Sequence, residues 1–360
     1  MEHADGPRAW IGRERIVGRR RVLEGADLIA WRGGHHAGHH SRAITSARMR
    51  ALVVSNMKPS EAHPERGSFV RDQVDALRGV PDVTVELYEF APGVRALIRA
   101  WRDLGKRYGN ELFDVVHAHF GLTAWPALAV KARGRALTVH GTDLSHPRTR
   151  MLTAAALPKM GLLAAVSEGL VKKIPGAGNR ARAVVLPCGA NLERFRPMSR
   201  REAREALKLE IDTPYLLFPA DPERPEKRYD RAQALAGAAG AKLLTLGGVE
   251  PERVALFINA SNAVVVPSER EGFGLAVVET LACDVPVLAT PVGVHREALQ
   301  GLAGTLCAEF DLERWGAALG PHLAAADPRV VGRERAERFS ATRMGEHVAQ
   351  AWRSLVVDAG

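Results

Sequence analysis

The sequence predicts an α/β protein of two domains, each built on a parallel sheet. Three observations carry that prediction. Short β-branched runs alternate with helical stretches along most of the chain, the pattern of strands buried on both faces. The chain has 360 residues, more than one core usually organises. Between Ala263 and Gly293 a strand, a glycine-containing turn, a helix and a second strand follow one another, which is a βαβ unit.

In chain order, residues 1–48 stand apart. Arginines outnumber acidic residues there, and His35, His36, His39 and His40 crowd together. Such a cluster reads either as a metal site or as a disordered basic tail, and the composition favours the tail. No apolar core follows the arginines, so a secretory signal is not indicated. Met49 directly precedes the first credible strand and is a candidate start. From there Arg50–Ser55, Thr84–Tyr88, Asp114–Ala118, Leu137–His140, Leu163–Val166 and Ala183–Leu186 read as strands. Residues 49–206 thus form the first domain. Ligands of such sheets bind beyond the carboxyl ends of the strands, where Gly67, His117, His119 and the run His140-Gly141-Thr142-Asp143 stand.

Residues 207–339 form the second domain, opened by a strand at Tyr215–Phe218. The loop behind it brings Arg224 and Lys227 to a strand end. Residues 340–360 form a last helix, capped by Ser340, with Met344, Val348, Trp352 and Leu355 on one face.

The chemistry concentrates at the turn of the βαβ unit. A helix start exposes unpaired N–H groups and a partial positive charge. Glycines let a ligand approach the backbone. Gly272, Phe273, Gly274 and Leu275 therefore make a phosphate-binding turn. Glu271 precedes it and Glu279 lies within the helix. Carboxylates accept hydrogen bonds, so the pair suits sugar or ribose hydroxyls.

The string EGFGLAVVE between two β-branched strands resembles the E-x7-E signature of the retaining GT-B glycosyltransferases of family four. SNMKPSEAHPERGSFVRDQV, DVVHAHFG, LTVHGTD, AVSEGL and VLPCGANLERFRP resemble further strings of that family, so the likeness runs from Met49 to the end. It implies two Rossmann-like domains facing a cleft, and a final helix crossing back to the first domain. It also implies a nucleotide-diphosphate sugar, a UDP- or GDP-sugar, as donor. Glu271 would contact the sugar, Glu279 the ribose, and Lys227 with Arg224 the diphosphate. His140 would line the sugar site, with Gly67 in the acceptor-side loop. No cofactor or metal is implied. PERPEKRYD most resembles the subgroup of the teichuronic acid biosynthesis glycosyltransferase TuaC, which points to cell-envelope polysaccharide and a glycan or lipid-linked acceptor.

Three departures stand out. Pro222 occupies the usual arginine position, so Arg224 is expected to substitute. Asp284 replaces a glycine at a helix end that needs positive φ. Gly189-Ala190-Asn191 stands where Gly-Val-Asp is usual.

Composition bounds the rest. Three dispersed cysteines, Cys188, Cys283 and Cys307, form no metal or disulfide pattern and fit a reducing, cytoplasmic setting. No apolar run is long enough to span a bilayer. The +9 charge permits anionic partners, yet no nucleic-acid-binding module is recognisable. Val94–Tyr108 carries an apolar stripe beside a row of arginines. It reads as a helix covering the sheet or as a peripheral contact with the inner face of the membrane. Two rival functions use the same cleft: nucleotide-sugar epimerisation, which needs no acceptor, and noncatalytic nucleotide-sugar binding.

Overall fold

The computed structural model describes residues 48–357 of the chain; the basic tail expected at 1–48 lies almost wholly outside the described residues. Among the described residues, eleven strands form two parallel sheets. The first sheet holds β1 (Met49–Ser55), β2 (Val83–Glu89), β3 (Leu112–His119), β4 (Lys131–Val139), β5 (Leu162–Ala165) and β6 (Val184–Val185), in the order β2-β1-β3-β4-β5-β6. The second holds β7 (Tyr215–Phe218), β8 (Lys242–Thr245), β9 (Ala263–Val266), β10 (Val287–Ala289) and β11 (Leu306–Cys307), in the order β11-β10-β9-β7-β8. In each, the first strand of the lobe has the second on one side and the third on the other. The chain direction of the crossovers therefore reverses beside β1 and beside β7, and a crevice opens there at the carboxyl ends of the strands. Central strands such as Leu52–Val54 and Val264–Val265 are wholly buried, as sheets covered on both faces require.

Strand ends differ from the sequence reading by a few residues. β4 begins at Lys131, well before Leu137, because its polar first half pairs with β3. β8 and β11 carry no recognisable apolar alternation and escape the pattern. Helix Arg200–Leu207, which a boundary at 206 assigns to the first domain, packs on helix Val254–Ala260 of the second lobe. Arg204 fixes it there by donating to the Ala260 carbonyl and to Asn262 Oδ1, both at 2.9 Å.

Two crossings join the lobes, and they are tied to each other. Ala190 N–H donates to the Phe339 carbonyl, and Ala341 N–H to the Ala190 carbonyl, each at 2.8 Å. Gly189 permits this approach, since a Cβ there would overlap the Ser340 backbone. Asn191 Oδ1 accepts from the N–H groups of Glu193 and Arg194 at 3.1 Å, the turn that an aspartate would also make. Asp284 takes φ 55°, and its Oδ1 accepts from Gly332 and Arg333 N–H at 2.9 and 2.7 Å. Glycine would offer the conformation but not those two bonds.

After the second crossing, helix Ala341–Val357 lies on the first lobe. Ser340 Oγ accepts from Arg343 N–H at 3.3 Å, capping its start. Met344, Val348, Ala349 and Trp352 bury among Val70, Val74 and Leu77 of helix Ser68–Arg78 and strand residues of the first sheet. Trp352 Nε1 donates to His117 Nδ1 at 3.1 Å, and His117 Nε2 meets Thr138 Oγ1 at 2.8 Å. His117 is thus a buried structural group joining helix to sheet, not a cleft residue. Truncation of a buried Trp costs about 3–5 kcal/mol. Trp352→Ala is expected to lose about that much in urea unfolding, leaving His117 without its donor.

Candidate functional site

A cavity of about 640 Å³ lies between the lobes, within the usual size of a small-molecule site. The loops after β1, β4, β7 and β9 line it. Its electropositive wall is the start of helix Leu275–Ala282. Gly274 is the N-cap at φ 100°, and no side chain caps the helix. No acidic residue lies in the first turn either, so the free N–H groups and the helix dipole face the cavity uncompensated.

Glycine is obligatory twice in this turn. A Cβ on Gly274 would overlap the His295 imidazole, and one on Gly272 would overlap the His140 carbonyl oxygen of the opposite lobe. Ser167 Oγ of the first lobe donates to the Gly272 carbonyl at 2.8 Å. The phosphate-type turn of one lobe is therefore in direct contact with the other.

Beside the turn, Lys227 Nζ lies 2.7 and 2.6 Å from the two oxygens of Glu271. Both side chains are largely buried, and both line the cavity. Burial alone would raise the Glu271 carboxyl; the Lys227 ammonium outweighs it and holds the group below the ordinary glutamate value. Ser268 Oγ donates to Glu271 Oε1 at 2.8 Å and fixes the carboxylate from below. Arg224 lines the same cavity, but half of its side chain is exposed and its Nη2 contacts Glu226 Oε1 at 2.7 Å. Two carboxylates thus hold the two cations expected for a diphosphate, one inside the cavity and one at its rim.

Glu279 lines the opposite end, one helical turn and more beyond the glycines. Burial raises its carboxyl to about 7, against the pull of the nearby Arg194. Arg194 in turn forms a bidentate pair with buried Asp72, at 3.0 and 2.5 Å. Leu246, Gly247, Val249, Pro251 and Val254, from the segment after β8, also line the cavity. Gly67 is not among the lining residues. It turns at φ 71° against Met57, whose backbone oxygen a Cβ would overlap, and so shapes the loop that brings Met57 and Ser68 to the cavity.

His140 lines the first-lobe side. Its Nε2 is 3.0 Å from His119 Nδ1. Burial depresses both imidazoles, His119 to about 3 and His140 well below its usual value, so both are neutral and His140 can exchange one hydrogen bond with a ligand. His119 itself is fully buried behind it. Asp143 holds the loop: it accepts from Gly141 N–H at 2.8 Å, and from His140 and Gly121 N–H at 3.2 Å.

Three participants carry no sequence signal of their own. Arg194 and Asp72 come together from positions 122 residues apart. His295 is buried beneath Gly274. Its Nδ1–H donates to the Thr290 carbonyl at 2.9 Å, while Nε2 has no hydrogen-bond partner among the described residues. Burial lowers its basicity, so the ring is a neutral floor for the turn. No group of three or more His, Cys, Asp or Glu among the described residues could hold a metal ion.

Residues 33–194 match the profile of Glycosyltransferase Family 4, and residues 205–324 that of Glycosyl transferases group 1. A D-inositol 3-phosphate glycosyltransferase of Mycobacterium avium is 28% identical over 320 residues, covering 75% of this chain and 74% of that protein. A sucrose-phosphate synthase of Thermosynechococcus elongatus superposes with a TM-score of 0.65 at 19% identity, over 86% of this chain and all of that one. HepE of Anabaena, solved with UDP and glucose, gives 0.61 at 15% identity, over 85% of this chain and all of its own. The fold is GT-B: two Rossmann-like lobes about a cleft.

Gly272→Ala tests the contact between turn and opposite lobe. The methyl group meets a backbone oxygen that cannot swing aside, so the lobes must part. Displacements of about 1 Å cost on the order of 10² in rate. A loss of that size with an almost unchanged melting temperature is the expected result.

Proposed function

The chain belongs to the group 1 glycosyltransferases and uses a nucleotide sugar, and on that footing we propose that it is a retaining, metal-independent hexosyltransferase with a UDP- or GDP-sugar as donor. The observation that carries the proposal is the convergence, in one interlobe cavity, of an uncapped helix start, Lys227 and Glu279.

In this reading the diphosphate lies on the N–H groups at the start of helix Leu275–Ala282. The Lys227 ammonium balances the charge that grows on the leaving phosphate oxygen, with Arg224 reaching in from the rim. Glu271, released from part of its ion pair, accepts from sugar hydroxyls, and Glu279 accepts from the ribose. The acceptor oxygen attacks the anomeric carbon on the face the diphosphate leaves. The carbon–phosphate-oxygen bond breaks as the new glycosidic bond forms, and the acceptor proton passes to the departing phosphate oxygen. No protein nucleophile is needed. Neutral His140 serves as a hydrogen-bond partner of the sugar rather than as a proton store.

The acceptor is the freer half of the reading. The relatives named for inositol phosphate favour a phosphorylated polyol. The sequence likeness to envelope-polysaccharide enzymes favours a glycan or lipid-linked acceptor. An acceptor panel with one donor separates them. Donor alone separates both from epimerisation, which would yield an epimer where a transferase yields only slow hydrolysis.

The first experiment is a thermal-shift panel of UDP-, GDP- and ADP-sugars, since a ligand at 100 times its Kd adds about 2.7 kcal/mol. With the donor found, Lys227→Ala is expected to lower transfer by about 10²–10³-fold, the usual loss for one preorganised stabiliser. Full activity in that variant would end the reading.

Donor binding should also follow pH. Glu279 is half-protonated at about 7 in the free protein, and its carboxylate accepts from hydroxyls more strongly than the neutral acid does. The diphosphate diester of a nucleotide sugar keeps its charge across this range. Affinity measured by calorimetry is therefore expected to rise with pH through 7, and Glu279→Gln to flatten the rise. The free fold responds in the opposite sense. A carboxyl whose folded pKa lies above its unfolded 4.5 favours folding below that value, and the advantage is lost as pH rises through about 7.

A further inference from the structure

The apolar side chains left on the surface are not scattered. Of nine large exposed ones among the described residues, five lie on two helices of the first lobe: Val94, Ile98 and Trp101 on Val94–Tyr108, and Met151 and Leu152 on Pro147–Ala156. The short helix Ala124–Ala127 lies between these two and touches both. The first helix follows β2 and the second follows β4. In a parallel sheet both must then begin at the carboxyl ends of the strands, the edge at which the cavity opens.

Val94, Ile98 and Trp101 are spaced to form one stripe, exposed by 75%, 51% and 44%. Arg95, Arg99, Arg102 and Lys106 form the neighbouring stripe and are all exposed. Arg148 and Arg150 stand exposed beside Met151. The one acidic residue of the first helix, Asp103, accepts from Tyr88 Oη at 2.7 Å. A helix that buries its far side in protein and presents aliphatic residues, an indole and a row of arginines suits the boundary between headgroups and acyl chains.

A second copy of the chain suits it less well. A twofold interface would set this row of arginines against itself, with Asp103, already bonded to Tyr88, the one acidic residue of the helix to answer it. We propose that this face docks the protein on an anionic lipid bilayer, with the mouth of the interlobe cavity held beside the headgroups. No helix among the described residues is long and apolar enough to cross a membrane, so the contact is one of lying on the surface.

Sedimentation of the full chain with vesicles tests this. Binding is expected to mixed phosphatidylcholine–phosphatidylglycerol vesicles, to be weak on phosphatidylcholine alone, and to fall with salt. Arg95→Gln/Arg99→Gln/Arg102→Gln should lower the partition coefficient roughly 10²-fold, at the usual contribution of one basic residue near such a surface. Ile98→Glu/Trp101→Glu should abolish binding without changing the melting temperature or the shift produced by the nucleotide sugar. Equal binding to both vesicle types, or to neither, overturns the proposal. So does a dimer in solution that Ile98→Glu/Trp101→Glu converts to monomer. Vesicle binding is read without turnover, so its failure leaves the transfer reading standing, and a failed nucleotide shift leaves the docking reading standing.

Discussion

The ion pair between Lys227 and Glu271 is the constraint on which the site depends. Neither group could be buried alone, because an unpaired charge in a low-dielectric setting costs several kcal/mol. Paired, they sit beside a helix start that already carries free N–H groups. The arrangement is charged but balanced while the cavity is empty. An anion entering beside the turn can take over the ammonium and leave the carboxylate free for hydroxyls. A buried pair poised in this way is well suited to exchange partners and poorly suited to add stability.

Topology explains why the pair stands where it does. Lys227 follows β7 and Glu271 follows β9, the two neighbours at the point where the crossovers reverse. The first lobe repeats the arrangement with β1 and β3. Tied crossings at Ala190 and Ser340 and the returning helix Ala341–Val357 bring the two reversal points face to face. The contact of Gly272 with the His140 loop then sets their separation.

Much of this was legible because the relevant residues are local in sequence. Glu271 to Leu275 form one turn, and a turn advertises itself through its glycines and the helix behind it. The two lobes were legible through their β-branched runs, and the last helix through Ser340 and the stripe from Met344 to Leu355; its crossing back to the first lobe came from the family resemblance. What stayed hidden depends on distance in the chain or on side-chain direction. The pairing of Asp72 with Arg194 needs the fold. His295 looks like any histidine in a short helix until Gly274 is seen above it. His117 and His119 stand at a strand end, where ligands bind, yet their rings turn inward to Trp352 and His140. β8 and β11 are short and only partly buried, so they show no alternation. Asp284 and Asn191 look like losses beside the usual glycine and aspartate; in the structure each replaces what it removes with hydrogen bonds of its own.

A crystal structure with an intact nucleotide-diphosphate sugar bound tests the central claim most directly. The account requires the diphosphate on the N–H groups of Gly274 to Ala276, with Lys227 Nζ drawn from Glu271 onto a phosphate oxygen and the ribose against Glu279. A donor bound elsewhere, with the Lys227–Glu271 pair intact, would contradict it.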